Sequence, residues 1–338
     1  MPDEQTETSH SAPNGIRFKG RLTKGYRTLL VALAAVLVVI IGFFYLVLAT
    51  LDPDIGISGL QARTVAYSAS YHLSWSPAVK SAKVSKAYAD PTSGPIAQVT
   101  ARLRNETSVD QAAELLASTH RKADSSQVPL SVTLSWRLNG TDISVNFSCD
   151  DSPDNIRATT QRELTLVGKA KSVTRGEPDS SIHADYGTVD TVPASITEPT
   201  GPDFYKTFTL HNWNVTYSPT QDDSYSNPPI TDLITAARQA SPTGTIELSN
   251  GTLSITGLVT DERKGLTPEA AAPVIHAVAN CQAAKLTTLQ LNGKLQKGLS
   301  TDNDYWLNFT CNNGTWTPND DGSTGQDEAA ILNKAAEL

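Results

Sequence analysis

The histidines and cysteines able to ligate a metal, attack a carbonyl or relay a proton are few in this 338-residue chain and stand far apart. There are six histidines (His10, His72, His120, His183, His211 and His276) and three cysteines (Cys149, Cys281 and Cys311). None forms a C-x-x-C or H-x-x-x-H pair, the spacing that sets two ligands on one side of a metal. The elbow G-x-S-x-G and the S-x-x-K pair are missing, so no serine is prepared to lose its proton. No P-loop or G-x-G-x-x-G is present to cradle a phosphate. Two acidic stretches come nearer to a cation site. Thr317 to Gly322, with Glu328 beyond, approaches the calcium loop D-x-[DN]-x-[DN]-G-x₅-E, but Thr317 replaces its first carboxylate. Asp302-Asn303-Asp304 has the D-x-D form of metal-dependent sugar-nucleotide transferases, in a chain without their βαβ alternation. The sequence therefore assigns no catalytic, cofactor-binding or metal-binding residue.

What must position any site begins with Leu29 to Leu51, LLVALAAVLVVIIGFFYLVLATL, which carries no charge. As a helix it reaches about 34 Å, slightly more than the roughly 30 Å hydrocarbon layer. Leu, Ile, Val and Phe dominate it, each favouring insertion by roughly 0.3–0.6 kcal/mol. Arg17, Lys19, Arg21, Lys24 and Arg27 precede the run, while Asp52 and Asp54 follow it with no base until Arg63. That asymmetry puts the N-terminus in the cytoplasm and the rest of the chain outside. A cleaved signal is the rival reading, but the run exceeds the usual 7–15 residues and Val47-Leu48-Ala49-Thr50 is no A-x-A site. Residues 1–15 are polar and read as a disordered tail. Removing five of the 27 bases and three of the 35 acids leaves 22 against 32 beyond the span. A net charge of about −10 there excludes a duplex nucleic acid as partner.

Placed outside the cell, cysteines can form lasting disulfides. Cys281 falls at the end of an expected helix and Cys311 at the end of an expected strand. A Cys281–Cys311 bridge would close a loop of about 30 residues and stabilise by about 3–4 kcal/mol. It is the expected pairing, with Cys149–Cys311 as the rival; in the first case Cys149 is left as a thiol or an intermolecular link. Asn105, Asn139, Asn146, Asn214, Asn250, Asn308 and Asn313 all begin N-x-S/T sequons. They are glycan acceptors in a secretory eukaryote and only turn and strand residues in a bacterium. A single Met and the Ala/Thr-rich pattern favour a bacterial envelope protein. Lys80, Lys83 and Lys86 form a basic stripe about thirty residues past the span, either a solvated face or a contact for a polyanion such as lipid or wall-polymer phosphates.

The exterior part rhymes with itself in three places. Tyr71 to Pro77 matches Asn212 to Pro219, Arg137 to Gly140 matches Gln290 to Gly293, and Val145 to Cys149 matches Leu307 to Cys311. Three matches in one order imply a duplication. In the second copy, Ile230, Leu233, Ile234 and Ala237 have helical spacing, and Thr245 to Gly257 is two alternating strands across Asn250-Gly251, a strong hairpin signal. Thr267-Pro268 opens another helix as N-cap and first residue. The first copy supplies a strand at 96–103, a helix from Ser108, and a hairpin over Asn139-Gly140. Pro153 to Lys171 and Gln326 to Leu338 read as closing helices.

The run Thr245 to Leu291, with the 230–239 helix before it, resembles the BON domain, an αββαβ module of bacterial envelope proteins. Gly251 and Gly257 stand at the glycine positions of that pattern, and the resemblance covers residues 230–291. The loop after Gly257 is longer than the family usually shows, and an extra closing strand follows. The resemblance implies an envelope-maintenance or membrane-surface binding role without catalysis.

The expected architecture is α+β: one N-terminal transmembrane helix, then two duplicated α/β hairpin domains, each an antiparallel sheet with helices on one face. The boundaries are 1–27 for a basic cytoplasmic tail, 28–51 for the span, 62–172 for the first repeat, 173–203 for a linker and 204–338 for the second repeat. The expected role is a membrane-anchored binding or scaffold protein of the cell envelope, without a cofactor. Its partners are the bilayer and another envelope protein or wall polymer. The alternative is an extracytoplasmic enzyme with a site assembled from dispersed Asp and His residues.

Overall fold

The computed structural model describes residues 24–123, 128–148, 152–176, 181–198, 204–218, 226–258, 266–293, 305–319 and 328–338. Residues 1–23, Cys149, Asp302 to Asp304 and the Asp320–Gly322 part of the calcium-like loop lie outside that set. The expectations that fall on them stay there.

Helix α1 (Lys24–Leu51) contains the apolar run, and its Thr28–Leu48 segment is long and apolar enough to cross a membrane, with none of it buried against the protein. Helix α2 (Ile57–Ser74) follows after five residues. Beyond it the described residues form thirteen strands in sequence order: β1 (Val79–Asp90), β2 (Gly94–Leu103), β3 (Leu130–Leu138), β4 (Thr141–Ser148), β5 (Ser172–Arg175), β6 (Ile182–Val189), β7 (Phe204–Leu210), β8 (Trp213–Tyr217), β9 (Gly244–Ser249), β10 (Thr252–Thr256), β11 (Thr288–Gly293), β12 (Tyr305–Asn312) and β13 (Thr315–Pro318). Successive hairpins are antiparallel, and each meets the next through a parallel pair: β2–β3, β4–β5, β6–β7, β8–β9 and β10–β11. The parallel seams need crossovers, which α3 (Val109–Ala123), α4 (Pro153–Glu163), α5 (Ile230–Ala240) and α6 (Pro268–Ala277) supply. At β6–β7 a 3₁₀ turn (Ala194–Thr197) stands in place of a helix, and α7 (Glu328–Ala336) closes the chain.

The result is one continuous mixed sheet rather than two antiparallel ones. Its seams are parallel because each crossover returns the chain to the starting end of the next strand. The expected linker region carries β5 and β6, which pair into the sheet on both sides. Every strand from β3 to β10 alternates. One face is buried, as in Leu130, Val132, Leu134 and Trp136 of β3 or Phe204, Phe208 and Leu210 of β7. Helices α2, α3 and α4 pack side by side, as do α5, α6 and α7. The opposite face is rich in Ser, Thr, Asn and Gln, with rungs such as Ser131 Oγ to Asn146 Oδ1 (2.6 Å) and Ser254 Oγ to Gln290 Oε1 (2.9 Å), and also carries Asp142, His183, Tyr205 and Glu247.

Local chemistry explains the element ends. Ser108 and Gln111 make a reciprocal capping box on α3, and Ser152 and Thr267 cap α4 and α6 ahead of a proline. Three hairpins turn on the identical triplet Asn-Gly-Thr. Asn139, Asn250 and Asn313 have φ of 49°, 49° and 51°, and the glycine after each is also left-handed. That is the type I′ turn, whose twist matches paired strands. Three of the seven sequons are therefore turn sequences by conformational need.

The stretch Tyr71 to Ser74 is the last turn of α2. Small residues on the buried side (Gly59, Ala62, Ala66 and Ala69, then Leu73) let this helix lie close on β1 and β2. The match of Tyr71–Pro77 with Asn212–Pro219 thus pairs a helix end with strand β8, and only the other two matches fall on like elements.

Candidate binding cleft

A five-residue elbow joins α1 to α2, and it is fixed at several points. Backbone bonds run from Ile55 N to Asp52 O (3.1 Å) and from Gly59 N to Pro53 O (3.3 Å). A methyl group on Gly59 would overlap the Asp54 carbonyl, so glycine is needed for the connection to fold back on α2. Asp54 accepts from Arg63 Nη2 at 2.5 Å and from the Ala89 amide of β1 at 3.1 Å. The far end of the apolar helix is thereby tied to α2 and to the β1–β2 hairpin.

At the other end of α2 a cleft of about 660 Å³ opens between α2, the β2–α3 connection and α3. His72, Trp75, Arg104, Glu106, Gln111, Glu114 and Ser118 line it. Trp75 caps the helix, 72% exposed, with its ring edge-on to Tyr71 at 5.7 Å. Arg104 donates its Nε proton to Pro77 O (2.8 Å). Glu106, held at a φ of 62°, accepts from the Asn139 amide at 3.3 Å. Arg157 of α4 clamps Glu114 through Nη2 (2.6 Å) and Nε (3.1 Å) and reaches Asp154 with Nη1 (2.8 Å). Hydrogen bonding to Glu114 first, then the charges of both carboxylates, holds this guanidinium above its ordinary value.

The cleft offers donors and acceptors of both kinds beside an aromatic face. The Ser118 hydroxyl is not prepared as a nucleophile. Ser118 Oγ is 3.5 Å from His72 Nε2, at the limit of a hydrogen bond, and donates its proton to Leu115 O at 2.9 Å. Among the described residues no group of three His, Cys, Asp or Glu side chains is gathered as a metal site.

The remaining residues singled out in the sequence are dispersed. Cys281 and Cys311 meet as a disulfide, with Cα atoms 5.9 Å apart; α6 ends at Ala277, so the bridge joins the turn after that helix, rather than its end, to β12. Lys80, Lys83 and Lys86 are exposed on β1, the edge strand. A bulge between Val84 and Lys86 resets the alternation, so Lys83 and Lys86 stand opposite Thr100 and Gln98 on one face. Lysine on an edge strand hinders pairing with a second sheet, which gives the stripe a structural use. Leu29 and Leu51 lie within α1. His183 stacks on Tyr205 at 4.9 Å, His276 bonds Ala335 O at 3.0 Å, His120 is buried, and His211 sits in the β7–β8 turn. Of the described histidines only His72 enters the cleft. Sequence reading missed Trp75, Arg104, Gln111 and Ser118 because they come from three elements. The available signal was Tyr71 and Trp75 at helical i,i+4 spacing. In comparison with known proteins, no family model, curated protein or solved structure matches the chain.

Proposed function

We propose that the protein is a membrane-anchored binding protein of the cell envelope. Its apolar helix is retained as the anchor, its N-terminus is cytoplasmic, and its helix-and-sheet region stands outside the membrane. The cleft at the end of α2 takes a polar ring-bearing ligand, and a sugar unit of an envelope polymer has the chemistry that fits. The observation that carries this reading is Trp75, an exposed indole bordering a cleft of mixed donors and acceptors. Ring faces stack on the C–H face of a sugar while groups such as Gln111 and Glu106 address hydroxyls.

The finer reading is that the exterior region arose by duplication. The β3–β4 and β11–β12 hairpins carry two of the three internal matches, and the order α5-β9-β10-α6-β11 is the one the BON resemblance implies. Lys83 and Lys86, beside the Ser/Thr-rich sheet face, are a secondary contact for polymer phosphates.

The test is calorimetric titration of the full chain in detergent with oligosaccharides released from its own envelope. Binding is expected, and Trp75→Ala should weaken it about tenfold, equivalent to about 1.4 kcal/mol. If wild type fails to bind any envelope oligosaccharide, the reading is wrong.

A further inference from the structure

Helix α2 has an outer face unlike that of its neighbours. Its exposed residues are Ile57, Leu60, Gln61, Thr64, Tyr67, Ser68, Tyr71 and Ser74, with Trp75 at the cap, and none is charged. Ile57, Leu60, Tyr67, Tyr71 and Trp75 fall on one arc of about 80° at 3.6 residues per turn. This arc lies opposite the small-residue face that packs on the sheet. The only charge on the helix, Arg63, is turned to Asp54. Neighbouring α3 and α4 instead expose Asp110, Glu114 and Asp154, so the apolar stripe ends with α2.

We infer that this stripe lies along the outer leaflet of the membrane that α1 crosses, with Tyr67, Tyr71 and Trp75 at headgroup level. The inference rests on α1 being the anchor. Three observations favour lipid as the occupant. The stripe begins five residues after α1 and continues its exposed apolar surface through Ile55 and Ile57. Its rings are the residue types enriched where hydrocarbon meets water, because an apolar body and a polar tip both find their medium there. Its area is too small for a second copy. Three rings of roughly 150–250 Å² each, about two-thirds exposed, together with the smaller exposed areas of Ile57 and Leu60, give on the order of 600 Å². A standard interface needs about 800 Å² from each partner. With α2 laid down, the cleft at its far end opens at the bilayer surface.

The experiment uses the full chain in phosphatidylcholine vesicles in which part of the lipid is brominated near the headgroup end of the acyl chains. Subtracting the fluorescence of Trp75→Phe from wild type isolates the Trp75 emission. That emission should lose more than half its intensity in the brominated vesicles. A Leu60→Glu/Tyr67→Glu variant should abolish the quenching and still resist carbonate extraction. Unquenched Trp75 in carbonate-resistant protein overturns the inference and leaves the anchor standing. Release of wild type by carbonate defeats the anchor, and the inference with it. A Tyr67→Cys variant that cross-links into dimers, together with unquenched Trp75, assigns the stripe to a second copy instead.

Discussion

Glu163, at the end of α4, has no solvent exposure and takes one hydrogen bond from Arg175 Nη1 at 2.5 Å. Its other carboxylate oxygen has no partner. Burial pushes its pKa from 4.5 up to about 7, against the opposing pull of Arg175 and Arg162. The native carboxyl therefore holds its proton where the unfolded one has lost it. Its contribution to stability is complete below about pH 4.5 and disappears as pH rises through about 7. Glu163→Gln should flatten the dependence over that window and leave the protein about 1–3 kcal/mol more stable than wild type at pH 8. Urea unfolding at pH 5 and pH 8 measures it; an unchanged difference between the two pH values counts against the assignment. Lys206 is the second buried charge. Burial lowers its pKa to about 8, and its ammonium donates to the carbonyls of Ser195 (3.0 Å), Ile196 (3.2 Å) and Glu198. It holds the 3₁₀ turn where every other parallel seam has a helix. Lys206→Met leaves those carbonyls unpaired and should cost about 2–4 kcal/mol by denaturant midpoint. Neither group was legible as a buried charge, because FYKTFTL shows only alternation and its sign of burial comes from the turn above it.

Among the elements, those built from local chemistry were the readable ones. Asn-Gly turns, Thr267-Pro268 and the apolar spacing of α5 each encode their own conformation, and hairpins β3–β4 and β9–β10 followed. Helix α2 was not readable, because it buries Gly and Ala and exposes Tyr and Trp, the reverse of the usual amphipathic signal. The cleft was lost with it, since its walls meet only once α2 lies beside α3. The elbow makes a sharp demand of its own: Gly59→Ala should cost on the order of 1–3 kcal/mol by forcing Asp54 away from α2, seen as a lower Tm and faster proteolysis at 52–58. The bridge between the turn after α6 and β12 closes a loop of 30 residues. Cys281→Ser should lower stability by about 3–4 kcal/mol, and reductant should then have no further effect on the same transition.

At the scale of the molecule, the sheet is unbroken from β1 to β13, and nothing in the Pro- and Gly-rich 173–203 stretch announced that its two strands would carry it across. Amides of β6 and β7 should exchange with deuterium as slowly as those of β3 and β4; fast exchange confined to β6–β7 would mean two sheets that separate. Strand order equals chain order throughout, so each strand's ladder partners are the strands just before and just after it. In such an array each strand needs only its chain neighbours to be in place. A polypeptide delivered from its amino end can finish each layer on the one already made, with no early segment waiting for a late one. Synthesis and assembly then share a direction, and the unfinished product at any moment exposes one growing edge besides the lysine-bearing edge of β1.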